Sequence, residues 1–415
     1  MRVAIVHYWW LSNRGGEAVV SALAQMYPAA DLFVHVCDEA LVRETLGPRF
    51  RGRIVQSFIS RLPGARRHYQ KYLPLMPLAS EQLDLSAYDL VLSSESGPAK
   101  GVITRPDALH ICYCHSPMRY VWDMYHDYRN ASGRVVRALF PPIAHYLRLW
   151  DRASADRVDR FVANSAFVAS RIRKLYRRES TVVHPPVDVL AFDPGQARGD
   201  HYLVLGQLVR YKRAELAVQA FNGLGLPLTV IGEGEQMAEL KKLAHPNVQL
   251  VGRQSFEVIR EQLQTCRALV FPGIEDFGIV PVEAMAAGAP VIAYARGGAC
   301  ETVRDGLTGL WFHEQSVEAL QAAVRRVESG AVRFDARLLH RHAQSFDRLR
   351  FLREMEALIA GALRDAAVSA APSSGVALAE APVVVGHADV DEGAVERGRA
   401  HGAGRDETRE HVQLE

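Results

Sequence analysis

Two glutamates, Glu275 and Glu283, bracket a glycine in the run Gly273-Ile274-Glu275-Asp276-Phe277-Gly278-Ile279-Val280-Pro281-Val282-Glu283-Ala284. The apolar segment before it reads as a strand, Ala268–Pro272, and the segment after it as a helix, Ile279–Ala287. Glu275 then ends the strand, Gly278 sits in the turn and Glu283 lies on the helix. Carboxylates on either side of such a turn can accept hydrogen bonds from sugar or ribose hydroxyls. The amides of Gly278 and Ile279 open the helix without intrahelical partners, so they can meet a phosphate. The plainer alternative is two solvated glutamates at helix edges. The flanking Val280-Pro281-Val282 makes Glu283 hard to read as surface.

A second segment with chemical potential is Asn13-Arg14-Gly15-Gly16-Glu17, between the first strand and the first helix. Glycine lets a backbone approach a ligand, and helix-start amides favour anions. Gly15 and Gly16 therefore read equally as a cradle for a pyrophosphate or sugar and as an ordinary tight turn. His115 closes an apolar run; alone, a histidine there is more often structural than a ligand. The five cysteines, Cys37, Cys112, Cys114, Cys266 and Cys300, contain no Cys-x-x-Cys pair and read as reduced, buried thiols. Cys112 and Cys114 read as alternate residues on one face of a strand rather than as a metal fragment. Asp389-Val390-Asp391 has the form of a metal-binding Asp-x-Asp but stands in a polar tail with no flanking strand.

These groups need a scaffold, and the chain alternates strands with helices. In the first half, residues 2–7, Leu32–Val36, Leu90–Ser93, Leu109–Cys114, Arg160–Ala163 and Thr181–Val183 read as strands, with a helix at Glu17–Met26. In the second half, His201–Leu208, Leu228–Ile231, Val248–Val251, Ala268–Pro272 and Pro290–Tyr294 read as five strands separated by helices at Ala214–Leu224, Glu235–Ala244, Ser255–Cys266 and Ile279–Ala287. This is the pattern of an α/β protein with parallel, doubly wound sheets, which bind ligands at the carboxyl ends of their strands. The prolines of His184-Pro185-Pro186-Val187-Asp188 mark a boundary. The expected organisation is a first domain at 1–186, a second at 187–345, a helix at 346–364 returning to the first domain, and a disordered tail at 365–415, where aromatics vanish.

With 415 residues, 48% hydrophobic and 23% charged, the chain can build sizeable cores, and its net charge of +2 forces no partner. The N-terminus lacks the apolar length and cleavage site of a signal peptide, and no stretch reaches the roughly 18 apolar residues of a membrane span. A cytoplasmic protein, soluble or peripheral at the inner face of the membrane, is expected. From Thr45 to Ser80 there is no Asp or Glu, while Arg49, Arg51, Arg53, Arg61, Arg66, Arg67 and Lys71 mix with Phe50, Phe58, Tyr69 and Tyr72. Residues 49–72 read either as a solvated face or as contact with an anionic membrane or lipid diphosphate acceptor. No recognised nucleic-acid motif accompanies the charge, and no nucleic-acid partner is expected.

The Glu275–Glu283 segment resembles the Glu-x7-Glu motif of glycosyltransferase family 4, the group 1 retaining enzymes. Gly232-Glu233-Gly234, Gly288-Ala289-Pro290-Val291-Ile292, Gly297-Gly298-Ala299-Cys300-Glu301-Thr302-Val303 and Asp305-Gly306-Leu307-Thr308-Gly309 follow the family's order, as do Ala163-Asn164-Ser165 and His184 to Asp188. The segment from Cys114 to Asp123, Cys-His-Ser-Pro-Met-Arg-Tyr-Val-Trp-Asp, resembles a branch rich in bacterial mannosyltransferases. The resemblance covers roughly 1–363. It implies a GT-B fold: two Rossmann-like doubly wound domains facing a cleft, with donor on the second and acceptor entering from the first.

The resemblance also implies roles. Gly16, beside Gly15, corresponds to the loop near the donor phosphates and His115 to a histidine contacting the donor sugar. Lys212 corresponds to the diphosphate-binding lysine, Glu275 to a contact with sugar hydroxyls and Glu283 to a contact with ribose. The family usually carries an arginine where this chain has Gln207. Arg210, two residues before Lys212, is the expected substitute, because a guanidinium can reach phosphate from a nearby backbone. The implied reaction is metal-independent, needs no cofactor and takes a nucleotide-sugar donor, GDP-mannose in preference to a UDP-sugar. The acceptor is a glycan or polyprenyl-linked saccharide in cell-surface polysaccharide synthesis. A non-catalytic sugar-nucleotide-binding protein, hinted at by Gln207, and a GT-B-shaped sugar-nucleotide epimerase are the alternatives.

Overall fold

The computed structural model describes residues 1–13 and 15–370. Asp389-Val390-Asp391 and the tail from residue 371 lie outside the described residues. The first sheet has seven strands: β1 (Val3–Trp10), β2 (Asp31–Cys37), β3 (Ile54–Gln56), β4 (Leu90–Glu95), β5 (Leu109–Cys114), β6 (Arg160–Ala163) and β7 (Ser180–Val182). Their order is β3-β2-β1-β4-β5-β6-β7, and every pairing is parallel. The second sheet has six: β8 (Tyr202–Leu205), β9 (Leu228–Ile231), β10 (Val248–Gly252), β11 (Ala268–Phe271), β12 (Val291–Tyr294) and β13 (Gly309–Phe312), in the order β10-β9-β8-β11-β12-β13, again all parallel. Two α/β layers of the same winding result, the doubly wound architecture expected.

Parallel strands covered by helices on both faces are buried along their whole length. The strand β4 is buried at every position, and β5 likewise. In the second sheet, Leu203 and Leu269 pack on one face with Val282 and Phe346, while Tyr202, Val204 and Val270 pack on the other with Leu216 and Leu320. That alternation is the period of two set by the pleat. The last helix, Arg348–Ala370, places Phe351, Met355, Ile359 and Ala362 on one stripe and buries them in the core of the first sheet beside Ile5 and Leu23.

Several expectations need correcting. The second sheet has six strands rather than five: β13 was missed because Gly309-Leu310-Trp311-Phe312 is short and follows a glycine turn. The strand expected at His201–Leu208 stops at Leu205, where Gly206 turns the chain away. The last helix begins at Arg348 and runs past 364, taking up residues 365–370 that had been assigned to the tail; Ala366, Ala367 and Ala370 are good helix formers. Four cysteines are buried and all five are free, but Cys300 is exposed, because it lies on the short helix Ala299–Thr302. The aromatic residues of 49–72 turn inward: Phe50 is buried in the first core, and the Tyr69 ring packs tilted against Trp9, centroids 4.8 Å apart. Arg53 and Arg66 are paired with Asp31 and Asp38.

Candidate functional site

In each sheet the strand order reverses at one crevice, between β1 and β4 in the first and between β8 and β11 in the second. Loops leaving the carboxyl ends of these strands diverge there and leave room for a ligand. The candidate residues gather at those ends.

On the first sheet, β1 feeds the helix Gly15–Met26, which starts at the glycine pair. A Cβ on Gly16 would lie 2.7 Å from Tyr8 Oη and 3.6 Å from His115 Nε2, so a side chain there would have to displace the Tyr8 hydroxyl. A Cβ on Gly15 would lie 2.6 Å from Ile279 Cδ1, so the two halves of the chain nearly touch here. His115 follows β5, and its backbone N–H donates to Glu95 O at 2.8 Å. Its Nε2 lies 2.8 Å from Ser94 Oγ, which in turn lies 3.1 Å from His7 Nδ1. His7 Nε2 is 3.8 Å from Glu17 Oε1. Burial, reinforced by His7, lowers the His115 pKa to about 3. The ring is therefore neutral near pH 7, with one nitrogen donating and the other accepting. Ser94 has a single hydroxyl proton to share between two imidazoles, so it couples their tautomers.

On the second sheet, β8 leads through Gly206 into the turn Arg210–Lys212. Lys212 Nζ pairs with Glu275 Oε1 at 2.9 Å, each side chain about one-fifth exposed (20% and 22%). Burial alone would lower the Lys212 pKa, but the Glu275 carboxylate outweighs it and holds the ammonium charged. Gln207, Lys212 and Glu275 line one recess. Gly278 caps the helix Ile279–Ala286 at φ +84°, a left-handed conformation that favours glycine. Glu283 lies further along that helix, and burial pushes its carboxyl up to about 7. Arg210 is exposed and makes no ion pair among the described residues. Lys212 and Glu275 thus pair at the strand ends, Gly278, Ile279 and Glu283 follow on the adjoining turn and helix, and Ile279 lies against Gly15 of the first half; the Arg210 side chain is exposed.

The cleft is held by contacts invisible to motif reading. Asp276 receives Arg119 Nη2 at 2.5 Å and Arg171 Nη1 at 2.8 Å, both from the first half. Arg171 also reaches Asp123 and Ser116, and the Arg119 guanidinium lies over the Tyr211 ring. Ser165 Oγ donates to Asp276 O, and the Glu301 carboxylate accepts from the amides of Ala166 and Phe167 at 2.8 and 3.0 Å. Those amides open the helix Ala166–Tyr176, where a carboxylate is favoured by both hydrogen bonding and helix polarity. Behind β4, the fully buried Lys100 is paired with Asp151 and approached by Glu95. Among the described residues no group of three or more His, Cys, Asp or Glu is arranged to hold a metal ion.

The two parallel sheets, each with its switch point, define a two-sheet α/β fold of the GT-B type. Comparison with known proteins sharpens that class. The family described as Glycosyl transferases group 1 matches residues 196–341, and Glycosyltransferase Family 4 matches residues 13–189. The chain belongs to this family. An uncharacterised glycosyltransferase of Methanocaldococcus jannaschii is 27% identical over 37% of this chain and 44% of its own length. The D-inositol 3-phosphate glycosyltransferase of Mycobacterium tuberculosis is 30% identical over 46% of each chain. The chain thus spans less than half the length of the curated relatives it matches.

Among solved structures, sucrose-phosphate synthase from Thermosynechococcus elongatus superposes with a TM-score of 0.63 at 18% identity, covering 88% of this chain and 100% of that one. Anabaena HepE in complex with UDP-glucose gives 0.62 at 15% identity, covering 87% and 100%. At these identities the likeness speaks for the fold.

Proposed function

We propose that this chain is a retaining, metal-independent hexosyltransferase. It would move mannose from GDP-mannose to a glycan or polyprenyl-linked saccharide in cell-surface polysaccharide synthesis, on the cytosolic side. The observation that carries the reading is the Lys212–Glu275 pair at the switch point of the second sheet, beside Glu283 and the helix-opening amides of Gly278 and Ile279. In this reading the donor diphosphate lies against Lys212 and those amides, Glu283 holds the ribose and Glu275 the sugar hydroxyls. The acceptor hydroxyl attacks from the face the phosphate leaves and passes its proton to the departing oxygen. Lys212, the Gly278 and Ile279 amides and Arg210 swung in from the rim stabilise the charge that grows there. His115, neutral and fixed through Ser94, orients the sugar. Gly15 and Gly16 admit the phosphates, and residues 49–72 offer basic contact to an anionic membrane or lipid diphosphate.

GDP-mannose is preferred on the Cys114–Asp123 segment. A UDP-sugar is the second reading, favoured by the UDP-glucose held by the similarly folded Anabaena HepE. Ligand binding to the folded state raises the melting temperature. A panel of GDP-mannose, UDP-glucose, UDP-galactose and UDP-N-acetylglucosamine therefore separates the two. Stabilisation by GDP-mannose above the others supports the first reading, and stabilisation by a UDP-sugar alone replaces it with the second. No response to any would contradict both readings, and stabilisation without turnover would favour a non-catalytic sugar-nucleotide-binding protein.

A further inference from the structure

The helix Arg134–Ser154 carries an apolar stripe on its outer surface. Val135, Leu139, Pro142, Tyr146, Leu149 and Ala153 recur at alternating spacings of four and three, which places them on one face. All six are exposed, with Val135 at 73%, Leu139 at 55%, Tyr146 at 45% and Leu149 at 60%. The helix needs none of them for its own packing. A different face, with Phe140, Ile143, Ala144, Leu147 and Trp150, packs into a cluster with Met118 and Val121. An exposed apolar row of this length on a helix already docked through another face marks an interaction surface.

Charge identifies the occupant. No Asp or Glu occurs from residue 128 to residue 150, and the only acid of the helix, Asp151, is buried on Lys100. Arg134, Arg137, His145 and Arg148 form a basic row along one flank of the stripe, which continues to Arg152, itself paired with Asp156. Leu73, from the acid-free segment 45–80, packs into the same cluster as this helix, and Trp150 donates to Glu81 at 2.8 Å. The exposed Leu75 and Leu78 lie just before Glu81 in sequence. A second copy seated on the stripe would bring arginine rows together with only Asp156, at one end, to pair them, which is unfavourable. An anionic bilayer complements both features: apolar side chains enter the headgroup boundary while arginines extend to phosphates.

We propose that the outer face of the helix Arg134–Ser154 docks this protein on an anionic lipid surface. The basic segment 49–72 would supply adjoining charge and the helix the inserted side chains. The inference deepens the lipid-linked acceptor reading above, but its vesicle-binding test needs no nucleotide sugar. The full chain is sedimented with phosphatidylcholine vesicles and with vesicles in which about a third of that lipid is replaced by phosphatidylglycerol. It should bind the second kind at least about ten-fold more tightly, with binding that weakens as salt is raised. Leu139→Glu/Leu149→Glu should lose that binding by about ten-fold or more, and the uncharged Leu139→Gln/Leu149→Gln should weaken it in the same direction. Because the replaced side chains are exposed, melting temperature and turnover on a water-soluble acceptor should not change.

Equal binding by wild type and both variants would overturn the proposal. So would a dimer dissolved by the glutamates in a chain that ignores vesicles, which would make the occupant a second copy. Binding that appears only after removal of residues 371–415 would make that segment the occupant. A chain that docks but transfers no sugar would count against the transferase reading and leave the docking surface standing.

Discussion

The pH dependence of donor binding should trace to Glu283. Burial raises its carboxyl pKa from 4.5 to about 7. The carboxylate fraction is then about one-tenth at pH 6, one-half at pH 7 and nine-tenths at pH 8. If the ribose hydroxyls bond to the carboxylate, affinity for GDP-mannose should rise by up to about ten-fold from pH 6 to pH 8. The rise is smaller to the extent that the protonated acid also bonds, since a neutral hydrogen bond has roughly half the strength of a charged one. The diphosphate of a sugar nucleotide is a diester and does not itself titrate in this range. Calorimetry at several pH values and in buffers of different ionisation enthalpy reads both quantities: affinity, and a proton release near one at pH 6 that falls toward zero at pH 8. Glu283→Gln should abolish the release and flatten the slope, and should weaken binding at pH 8 by roughly 1.5–3 kcal/mol, the worth of a charged hydrogen bond. Stability should move in the opposite sense. The folded state keeps a proton between about pH 4.5 and 7 that the unfolded chain releases, so Glu283 costs stability as pH rises through that window, on the order of 3 kcal/mol by pH 8. A proton release that persists in Glu283→Gln, or a wild-type affinity flat across pH, would refute the assignment.

Other expectations concern the two strand-end clusters. Lys212→Ala and Arg210→Ala should each lower turnover by about 10²–10³ with a smaller effect on donor affinity, because the charge they face grows in the transition state. Their combination should be non-additive, and Gln207→Arg should bring little gain; a silent Arg210→Ala with a strongly activating Gln207→Arg would leave Arg210 at the rim without a role. Ser94→Ala should reduce turnover by about ten-fold or more with donor KM little changed, because His115 loses the hydroxyl that fixes its tautomer; Ser94→Thr should restore much of it. An Ala variant with normal kinetics would make the histidine pair purely structural. EDTA should leave turnover unchanged, and inhibition reversed by magnesium or manganese would contradict the metal-independent reaction.

How far the sequence reached depended on whether a feature is local. The Glu275–Glu283 turn was legible because strand, turn glycine and helix are contiguous, and periodicity gave each residue its place. Most strands were legible because burial on both faces leaves unbroken apolar runs. β3 and β13 were not: Ile54-Val55-Gln56 offers only two apolar residues in a basic stretch, and Gly309-Leu310-Trp311-Phe312 follows a glycine turn. His7 and Ser94 escaped notice for another reason. Their contact joins positions 87 residues apart in two parallel strands, and nothing in either segment's spacing announces the partner. The same holds for Asp276 with Arg119 and Arg171, and for Glu301 on the amides of Ala166 and Phe167. The Asp276 side chain pairs with the opposite half of the chain, which its place beside Glu275 does not reveal. The outward stripe of Arg134–Ser154 is periodic in the sequence, but Pro141 and Pro142 interrupt the helical signal, and only the structure shows which face is spare.

In the proposed reaction the cleft between the two sheets binds a nucleotide sugar through Lys212, Glu275 and Glu283 and transfers its sugar. The most direct measurement is transfer of radiolabelled mannose from GDP-mannose to a polyprenyl-linked saccharide, by wild type and by Glu275→Gln side by side. Glu275→Gln removes the carboxylate that both pairs with Lys212 and would hold the sugar hydroxyls. Labelled lipid-linked product from wild type, with a rate at least about 10²-fold lower in Glu275→Gln, is the result predicted. Undiminished transfer by Glu275→Gln would place the chemistry elsewhere. Absence of transfer from GDP-mannose and from every UDP-sugar tried, with the lipid-linked acceptor present, would contradict the account.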